Sequence, residues 1–333
     1  MRKGTESGYH FWNLYQDCPR KFHLRHVLKL ETEHPARPLL FGGAIHEGKA
    51  ALYSSKCSFQ GMMRGFSKAV RDRQGSYAER REATEDNQRG RLLLSSWYES
   101  YGRDDARLYN VKYVEKELAV PLPNGFVVTA RLDALVTRKK ESTSALILET
   151  KTTGYSLEMT DQGVQFSDQA TTYLWAAKRS FPKLNIEGLV PDIMYERKGR
   201  CECRRGDTVY RTDRELLEFE QGVMGILSEI SQKVEALRQG WEWYQVFPRN
   251  TSWCTSFNRL CEYAHICRED FPEEEVPYGF IRSKGKEREI EQLKGMRSNP
   301  TRNDRKLRPH GSGSHSRIKR KNRRPVESSR GVK

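Results

Sequence analysis

Two acidic residues and a lysine interrupt neighbouring apolar segments in the middle of the chain. Asp133 lies within RLDALV, and Glu149 and Lys151 lie within ALILETK. Both segments have the β-branched, alternating character of strands, and the polar turn RKKESTS between them predicts an antiparallel hairpin. Because Glu141 is midway between Asp133 and Glu149 along the chain, we expect the two carboxylates to face each other to within one residue of register.

The facing carboxylates need a compensating charge. Like charges opposite each other destabilise a sheet, and a buried carboxylate is costly unless it is paired or bound to a cation. The two-residue period of a strand places Lys151 on the same face as Glu149. Two carboxylates and an ammonium on one face can bind Mg²⁺ or Mn²⁺, polarise a phosphoryl oxygen and position an attacking water. The alternative is that Asp133 is an edge residue and that Glu149 and Lys151 form an ordinary surface ion pair.

These residues and their flanking segments resemble the PD-(D/E)XK nuclease superfamily. Asp133 followed by Glu149-Thr150-Lys151 is similar to its D…(D/E)xK signature. Upstream, GGAIH, which ends at His46, is similar to the GxxxH element of the RecB-like branch. Downstream, QATTY, from Gln169 to Tyr173, matches the QxxxY helix of that branch, which includes many phage exonucleases. Leu132 stands where the family signature has proline.

The resemblance implies an α/β, restriction-endonuclease-like fold and a metal-dependent DNA exonuclease of phage or bacterial type. It implies four ligands for Mg²⁺ or Mn²⁺, namely the side chains of His46, Asp133 and Glu149 and the backbone carbonyl of Thr150. Lys151 would then orient the attacking water and stabilise the transition state, and Gln169 and Tyr173 would hold this lysine or contact the DNA backbone. The structural alternatives are that His46 is an ordinary helix histidine and that Gln169 and Tyr173 are helix-surface and core residues.

Four cysteines indicate a second metal site. Cys254, Cys261 and Cys267 lie within 14 residues, and Cys18 lies far upstream in QDCPRKF. This arrangement is similar to the one around the structural [4Fe–4S] cluster of iron–sulfur RecB-like nucleases, and four thiolates satisfy such a cluster. The spacing C-x6-C-x5-C departs from the common C-x2-C-x5-C pattern. Zinc is therefore the alternative, bound by the same thiolates or with His265 replacing one of them.

The elements that must position these residues follow an α/β order with mixed strand directions. Helices are predicted over 10–30 (kinked or divided at Pro19), over FGGAIHEGKAALY (41–53, entered through Gly42–Gly43), and twice within 59–102 with a polar link near 74–88. Strands are predicted over 112–122, 125–138 and 145–151, with a turn at Pro123–Gly125. A helix over 165–180, a strand over 188–197, a hairpin over 199–212 and a helix over 213–240 follow. On that hairpin, Cys201 and Cys203 belong to a second thiol site or to an ordinary exposed strand.

Four regions are expected along the chain. An N-terminal helical region (1–110) carries Cys18 and His46, and a nuclease core (111–240), a Cys-rich metal lobe (241–272) and a charged linker with a disordered basic tail (273–333) follow. Residues 297–333 hold 13 Lys and Arg against two acids, which is +11 of the formal +15 of the whole chain. Such a tail favours polyanions through counterion release, although a merely solubilising role is the alternative.

Composition excludes several classes of protein. With 36% hydrophobic and 31% charged residues, the chain has no apolar run long enough to span a membrane. The N-terminus lacks the apolar core of a signal peptide, and the seven cysteines are an odd number, so we expect a cytoplasmic protein with thiols or metal ligands.

The expected partner is single- or double-stranded DNA with a free end, alongside a helicase or recombinase, in DNA recombination, repair or processing. One alternative is a non-catalytic nucleic-acid-binding protein that keeps the fold and the Cys lobe. Another is a basic, zinc-containing structural protein in which the hairpin acids are incidental. The presence together of His46, Asp133, Glu149 and Lys151 favours the nuclease.

Overall fold

Helices dominate the first third of the chain, as its apolar periodicity predicts. The computed structural model describes residues 8–55, 58–197, 199–256, 259–269 and 275–283. The N-terminal pattern is divided at Pro19, as predicted, into α1 (Tyr9–Asp17) and α2 (Pro19–Phe22), followed by a π-helical turn (His23–Val27) and β1 (Leu30–Thr32). The next helices are α3 (Arg37–Ser54), α4 (Phe59–Asp72), α5 (Arg80–Trp97) and α6 (Arg103–Leu108).

A five-stranded mixed sheet follows the helices. Its strands, in spatial order, are β2 (Tyr109–Pro121), β3 (Val127–Arg138), β4 (Glu141–Thr153), β5 (Asn185–Arg197) and β6 (Arg200–Arg205). β5 is parallel to β4, and the other neighbours are antiparallel. Further helices are α7 (Leu157–Gln165), α8 (Asp168–Ser180), α9 (Asp213–Arg238) and α10 (Trp243–Val246). The predicted α/β fold, a mixed sheet flanked by helices, is therefore confirmed.

Helices cover both faces of this sheet. One core packs α1, α8 and α9 against strand residues that include Leu135 and Ile147. The other core packs α3, α4 and α5 against strand residues that include Ala134 and Leu148. Consecutive residues of a strand point to opposite faces, so the two cores occupy the two sides of the sheet. In the described part of the chain, no helix is both long and apolar enough to cross a membrane.

A buried ion network anchors α3 on the sheet. Lys49 of α3 donates from Nζ to Oδ2 of Asp192 on β5 at 2.5 Å and lies 3.9 Å from the centroid of the Trp97 ring. Arg205 of β6 donates to the same carboxylate at 2.8 Å. Burial alone would raise the pKa of Asp192, but Lys49 and Arg205 lower it. Because Lys49 is one helical turn beyond His46, this network fixes where α3 presents the histidine.

The helix that carries the GGAIH segment begins earlier than predicted. α3 begins at Arg37, and Pro38 in its first turn lacks an N–H that would be unsatisfied there in any case. The two glycines therefore lie inside the helix. A Cβ at position 42 would lie 3.0 Å from Oγ1 of Thr152, which is tighter than ordinary contact. Gly42 thus permits the close approach of α3 to the end of β4.

The hairpin between β3 and β4 has a tighter turn than predicted. Lys139 and Lys140 form the turn, and Arg138 pairs with Glu141 at the first residue of β4. Residues 142–144 form an irregularity in β4, after which pairing resumes with Thr137 opposite Ala145. The irregularity restores the predicted register. From Thr137 opposite Ala145 to Ala134 opposite Leu148, the strands pair as predicted, although the turn that joins them is different.

Three further differences concern segments with weak local signals. α7 was not predicted; its N-cap Ser156 accepts a hydrogen bond from the N–H of Met159. The link between α4 and α5 is shorter than predicted, because α5 already begins at Arg80. Within the predicted linker, β7 (Phe280–Arg282) forms a strand antiparallel to β1. The described residues, 8–283 with their gaps, belong to one unit, and the predicted basic tail, 297–333, lies outside them.

Candidate metal centre

β3 and β4 separate at the point where the two predicted acids lie. Their ladder ends with Ala134 opposite Leu148, after which β3 continues its pairing with β2 and β4 with β5. This register places Asp133 opposite Glu149, as the hairpin predicts. The N–H of Thr150 donates to Oδ2 of Asp133 at 2.9 Å. We call this point, formed by residues 133, 149 and 150, the fork.

Helix α3 brings His46 to the fork. Nδ1 of His46 lies 2.9 Å from Oδ2 of Asp133. Two neighbouring ligands of one octahedral cation, each about 2.1 Å from the ion, lie about 3 Å apart. The separation of these two atoms therefore fits two ligands of a common divalent cation.

Glu149 is a buried acid with an unsatisfied oxygen. Its side chain is 3% exposed, and in the described structure its Oε2 has no hydrogen-bond partner. Burial, with a further contribution from Asp133, raises the pKa of Glu149, although Lys151 and His46 partly oppose the shift. Buried polar atoms normally have a hydrogen-bond partner, so this oxygen is available to act as a ligand of a cation.

A third carboxylate lies at the fork and was not predicted. Ligand atoms of His46, Glu115 and Asp133 all lie within 4.8 Å of one another. The register of β2 on β3 places Glu115 opposite Asp133. The sequence did contain a signal, because Asn124, in the predicted turn between β2 and β3, is midway between these two acids.

Helix α8 holds Lys151 through a chain of hydrogen bonds. Nζ of Lys151 lies 3.0 Å from Oε1 of Glu149 and donates to Oε1 of Gln169 at 2.6 Å. Nε2 of Gln169 donates to the hydroxyl of Tyr173 at 2.9 Å, as residues four apart on one helix face can do. The structure thus brings the side chains predicted for the site to the fork, with Thr150 joined through its backbone N–H. Among the described residues, however, the set whose ligand atoms all lie within 4.8 Å of one another contains His46, Glu115 and Asp133 but not Glu149.

The predicted four-Cys region lies where the two ends of the described chain meet. The N–H of Asn250 donates to Sγ of Cys18 at 3.5 Å, and the N–H of Cys261 donates to the carbonyl of Cys254 at 2.7 Å. Burial raises the pKa of Cys261 and of Cys267, and the charge of Cys18 adds to both shifts. The described cysteines are free thiols, and among described residues no three of their sulfurs lie within 4.8 Å of one another.

Cys201 and Cys203 lie on β6 and pack against the core that contains α3. Sγ of Cys203 lies 3.8 Å from the carbonyl of Leu93, and burial raises the pKa of this thiol to about 11. A protonated, half-buried thiol fits an ordinary strand position better than a second metal site.

The mixed sheet, its flanking helices and the acids at the fork define a nuclease core of the restriction-endonuclease type. A sequence model of the PD-(D/E)XK nuclease superfamily matches residues 12–268, and the chain therefore belongs to this superfamily of metal-dependent nucleases. A solved structure described as that of SSO0001 is 15% identical, with 64% of this chain and 84% of that chain covered and a TM-score of 0.26. No curated protein matches the chain.

The raised pKa of Glu149 predicts a stability effect with a definite sign. At neutral pH, ionised Glu149 destabilises the metal-free fold, so Glu149→Gln should raise the free energy of unfolding by about 1 kcal/mol. The same variant should lose the increase in unfolding temperature that Mn²⁺ gives the wild type. Calorimetry in EDTA and in Mn²⁺ measures both effects. Glu99→Gln, at an exposed glutamate, is the control, and a variant less stable than wild type in EDTA would contradict the prediction.

Proposed function

We propose that this chain is a Mg²⁺- or Mn²⁺-dependent DNA exonuclease of the RecB-like type, which acts from a DNA end in recombination, repair or processing. The observation that carries the proposal is the position of Lys151, whose ammonium lies 3.0 Å from Glu149 at the fork that also holds Asp133 and His46. A cation site and a fixed ammonium at one point can together support phosphodiester hydrolysis, because both stabilise the charge that develops on the phosphoryl oxygens.

Each side chain at the fork has a separate task in this proposal. His46, Asp133 and Glu149, with the carbonyl of Thr150, would hold the cation. When bound, such a cation polarises a phosphoryl oxygen and lowers the pKa of a bound water. Lys151 orients the attacking water and stabilises the negative charge that develops on the phosphoryl oxygens.

Gln169 and Tyr173 act through the lysine. The Tyr173 hydroxyl accepts from Nε2 of Gln169, which leaves Oε1 of the amide directed toward Lys151. This arrangement fixes the orientation of the amide and hence the position of the ammonium. In this proposal the two residues are positioning residues.

An arginine-containing groove beside the fork supports a single DNA strand as the ligand. The groove has a volume of about 540 Å³, and its lining includes Tyr155, three arginines and two glutamates, namely Arg197, Arg200, Arg204, Glu158 and Glu202. Arg200 pairs with Glu202 and Arg204 with Asp161, so Arg197 is the arginine on which the phosphate contact is tested. It begins at Gly154, three residues beyond Lys151, which is about 10 Å along a strand. Guanidinium groups bind phosphates and aromatic rings stack on bases, so this surface suits a strand whose scissile phosphate lies at the fork.

We further propose that Cys18, Cys254, Cys261 and Cys267 bind a structural [4Fe–4S] cluster, with zinc as the alternative. The hydrogen bond from Asn250 to Cys18 and the influence of Cys18 on the pKa of Cys261 support a shared site. This metal would join the chain ends and take no part in hydrolysis.

The alternative function is a nucleic-acid-binding protein that does not cleave. The groove supports this alternative, because its arginines would bind a DNA strand whether or not the fork hydrolyses it. In either case we propose a cytoplasmic protein with DNA as ligand and a helicase or recombinase as partner.

Lys151→Ala should reduce DNA hydrolysis at least about a hundredfold, because the attacking water and the transition state lose their fixed positive charge. The test is digestion of end-labelled linear single- and double-stranded DNA in Mg²⁺, Mn²⁺ or EDTA, with protein purified without oxygen. Lys140→Ala, in the exposed turn of the same hairpin, should keep wild-type activity.

Hydrolysis in EDTA, or full activity in Lys151→Ala, would contradict the assigned chemistry. Binding without cleavage by the wild type would instead favour the non-catalytic alternative. Covalently closed single-stranded circles should resist digestion; circles cut as fast as linear strands would refute exonuclease action but leave a nuclease.

Arg197→Glu should weaken binding of a single-stranded oligonucleotide about tenfold, because it replaces a phosphate-binding charge by a repulsive one. Fluorescence anisotropy in EDTA measures this without cleavage. The matched control is Lys183→Glu, an equal reversal at an exposed residue just before β5, whose first residue lies about 40 Å along the strand from Arg197. Equal losses in both variants would show a general charge effect and contradict the groove assignment.

Protein purified without oxygen should contain about four irons and four sulfides per chain. Cys261→Ser should lose most of this content, whereas Cys203→Ser, on β6, should retain it. Chemical analysis of iron, sulfide and zinc distinguishes the metals. Zinc in place of iron supports zinc as the bound metal. Equal metal content in the wild type, Cys261→Ser and Cys203→Ser contradicts the four-Cys site.

A further inference from the structure

Glu115 has an unusual backbone conformation for a strand residue. Its φ is 49°, in the left-handed region, which costs free energy for a residue with a Cβ. Near Glu115, the side chains on one face of β2, and likewise of β3, pass from contact with one apolar core to contact with the other. Val114 contacts the core that contains α3, whereas Leu118 contacts the core that contains α8. On β3, Ala134 and Leu132 show the same change.

These changes locate a rotation of the two strands at Glu115 and Asp133. Residues that are two or four apart on a regular strand share a face, so a switch of core means that the strand has turned. The left-handed residue of β2 lies opposite Asp133 of β3. The rotation of β2 therefore occurs at the residue whose carboxylate lies within 4.8 Å of the ligand atoms of Asp133 and His46, namely Glu115.

We propose that Glu115 is a further ligand of the divalent cation at the fork. The inference rests on the proposed function in that this cation would be the one that serves hydrolysis. Three neighbouring strands then each supply one carboxylate, from Glu115, Asp133 and Glu149, and α3 supplies the nitrogen of His46. Oxygen-rich sets of this kind suit Mg²⁺ and Mn²⁺.

An independent observation indicates a ligand at this point. Oε2 of Glu149, on a side chain that is 3% exposed, has no hydrogen-bond partner in the described structure. The register of β3 on β4 places Glu149 opposite Asp133, at the end of their ladder. A cation shared by these acids would satisfy the buried oxygen and offset their repulsion.

The backbone strain argues for a role of the carboxylate. Glycine or asparagine would adopt the left-handed conformation at lower cost, so the strand geometry alone does not call for glutamate. Strained residues persist where the surrounding structure determines them, often at functional sites. Arg131, whose Nε lies 3.4 Å from Oε2 of Glu115, limits the orientations of this carboxylate.

The experiment is titration of the full chain with Mn²⁺ in the absence of DNA, followed by calorimetry. Glu115→Gln and Glu115→Gly should each bind Mn²⁺ at least about tenfold more weakly than the wild type. The glycine variant suits the left-handed backbone, and its unfolding temperature in EDTA should equal or exceed that of the wild type. The control is Glu117→Gln, which loses an acid that lies 3.8 Å from the same Arg131 but is 67% exposed. It should bind Mn²⁺ as the wild type does.

Several outcomes would overturn the assignment: wild-type affinity in either Glu115 variant, an equal loss in Glu117→Gln, or no Mn²⁺ binding by the wild type. Weaker binding confined to the two Glu115 variants supports it. If the wild type binds Mn²⁺ in a Glu115-dependent way but cuts no DNA, the ligand assignment stands and the nuclease proposal fails.

Discussion

The repulsion between Asp133 and Glu149 is the constraint on which the rest of the structure depends. Two buried acids on facing strands favour separation of β3 and β4, and the ladder does end beside them. The fold limits this separation locally, through the Thr150 N–H on Asp133 and the Lys151 ammonium beside Glu149. Burial of apolar side chains in the two cores on either side of the sheet therefore offsets the unfavourable free energy of the clustered carboxylates.

The fork also explains why helices from both layers can serve one site. Helix α3 belongs to one core and α8 to the other, yet His46 and Gln169 both reach the end of the β3–β4 ladder. A continuous sheet would separate them. The position of α3 is in turn fixed by buried charges, since Lys49 binds Asp192 on β5. The site is thus held by polar contacts on both sides of a gap in the sheet.

Local physics predicted the part of the site that lies within one hairpin. Strand parity and the hairpin midpoint suffice for Asp133, Glu149 and Lys151, because these relations depend only on neighbouring sequence. His46 and Gln169 required resemblance to a family, since no local rule brings a distant helix to a strand. The left-handed backbone of Glu115 has no sequence signal, and β7 was missed because its partner β1 lies at the other end of the chain.

The contacts between the segments around Cys18 and β1 and those around Asn250 and β7 have a consequence for the order of folding. The N–H of Asn250 donates a hydrogen bond to Sγ of Cys18, which lies 232 residues earlier in the chain, and the separation of β1 from β7 is longer still. Contacts of such large sequence separation form slowly, and a chain made from its N-terminus exposes α1 and β1 long before their partners exist. The unpaired edge of β1 must meanwhile be kept from other strands. The segment that contains α1 and β1 is therefore synthesised well before the partners that stabilise it.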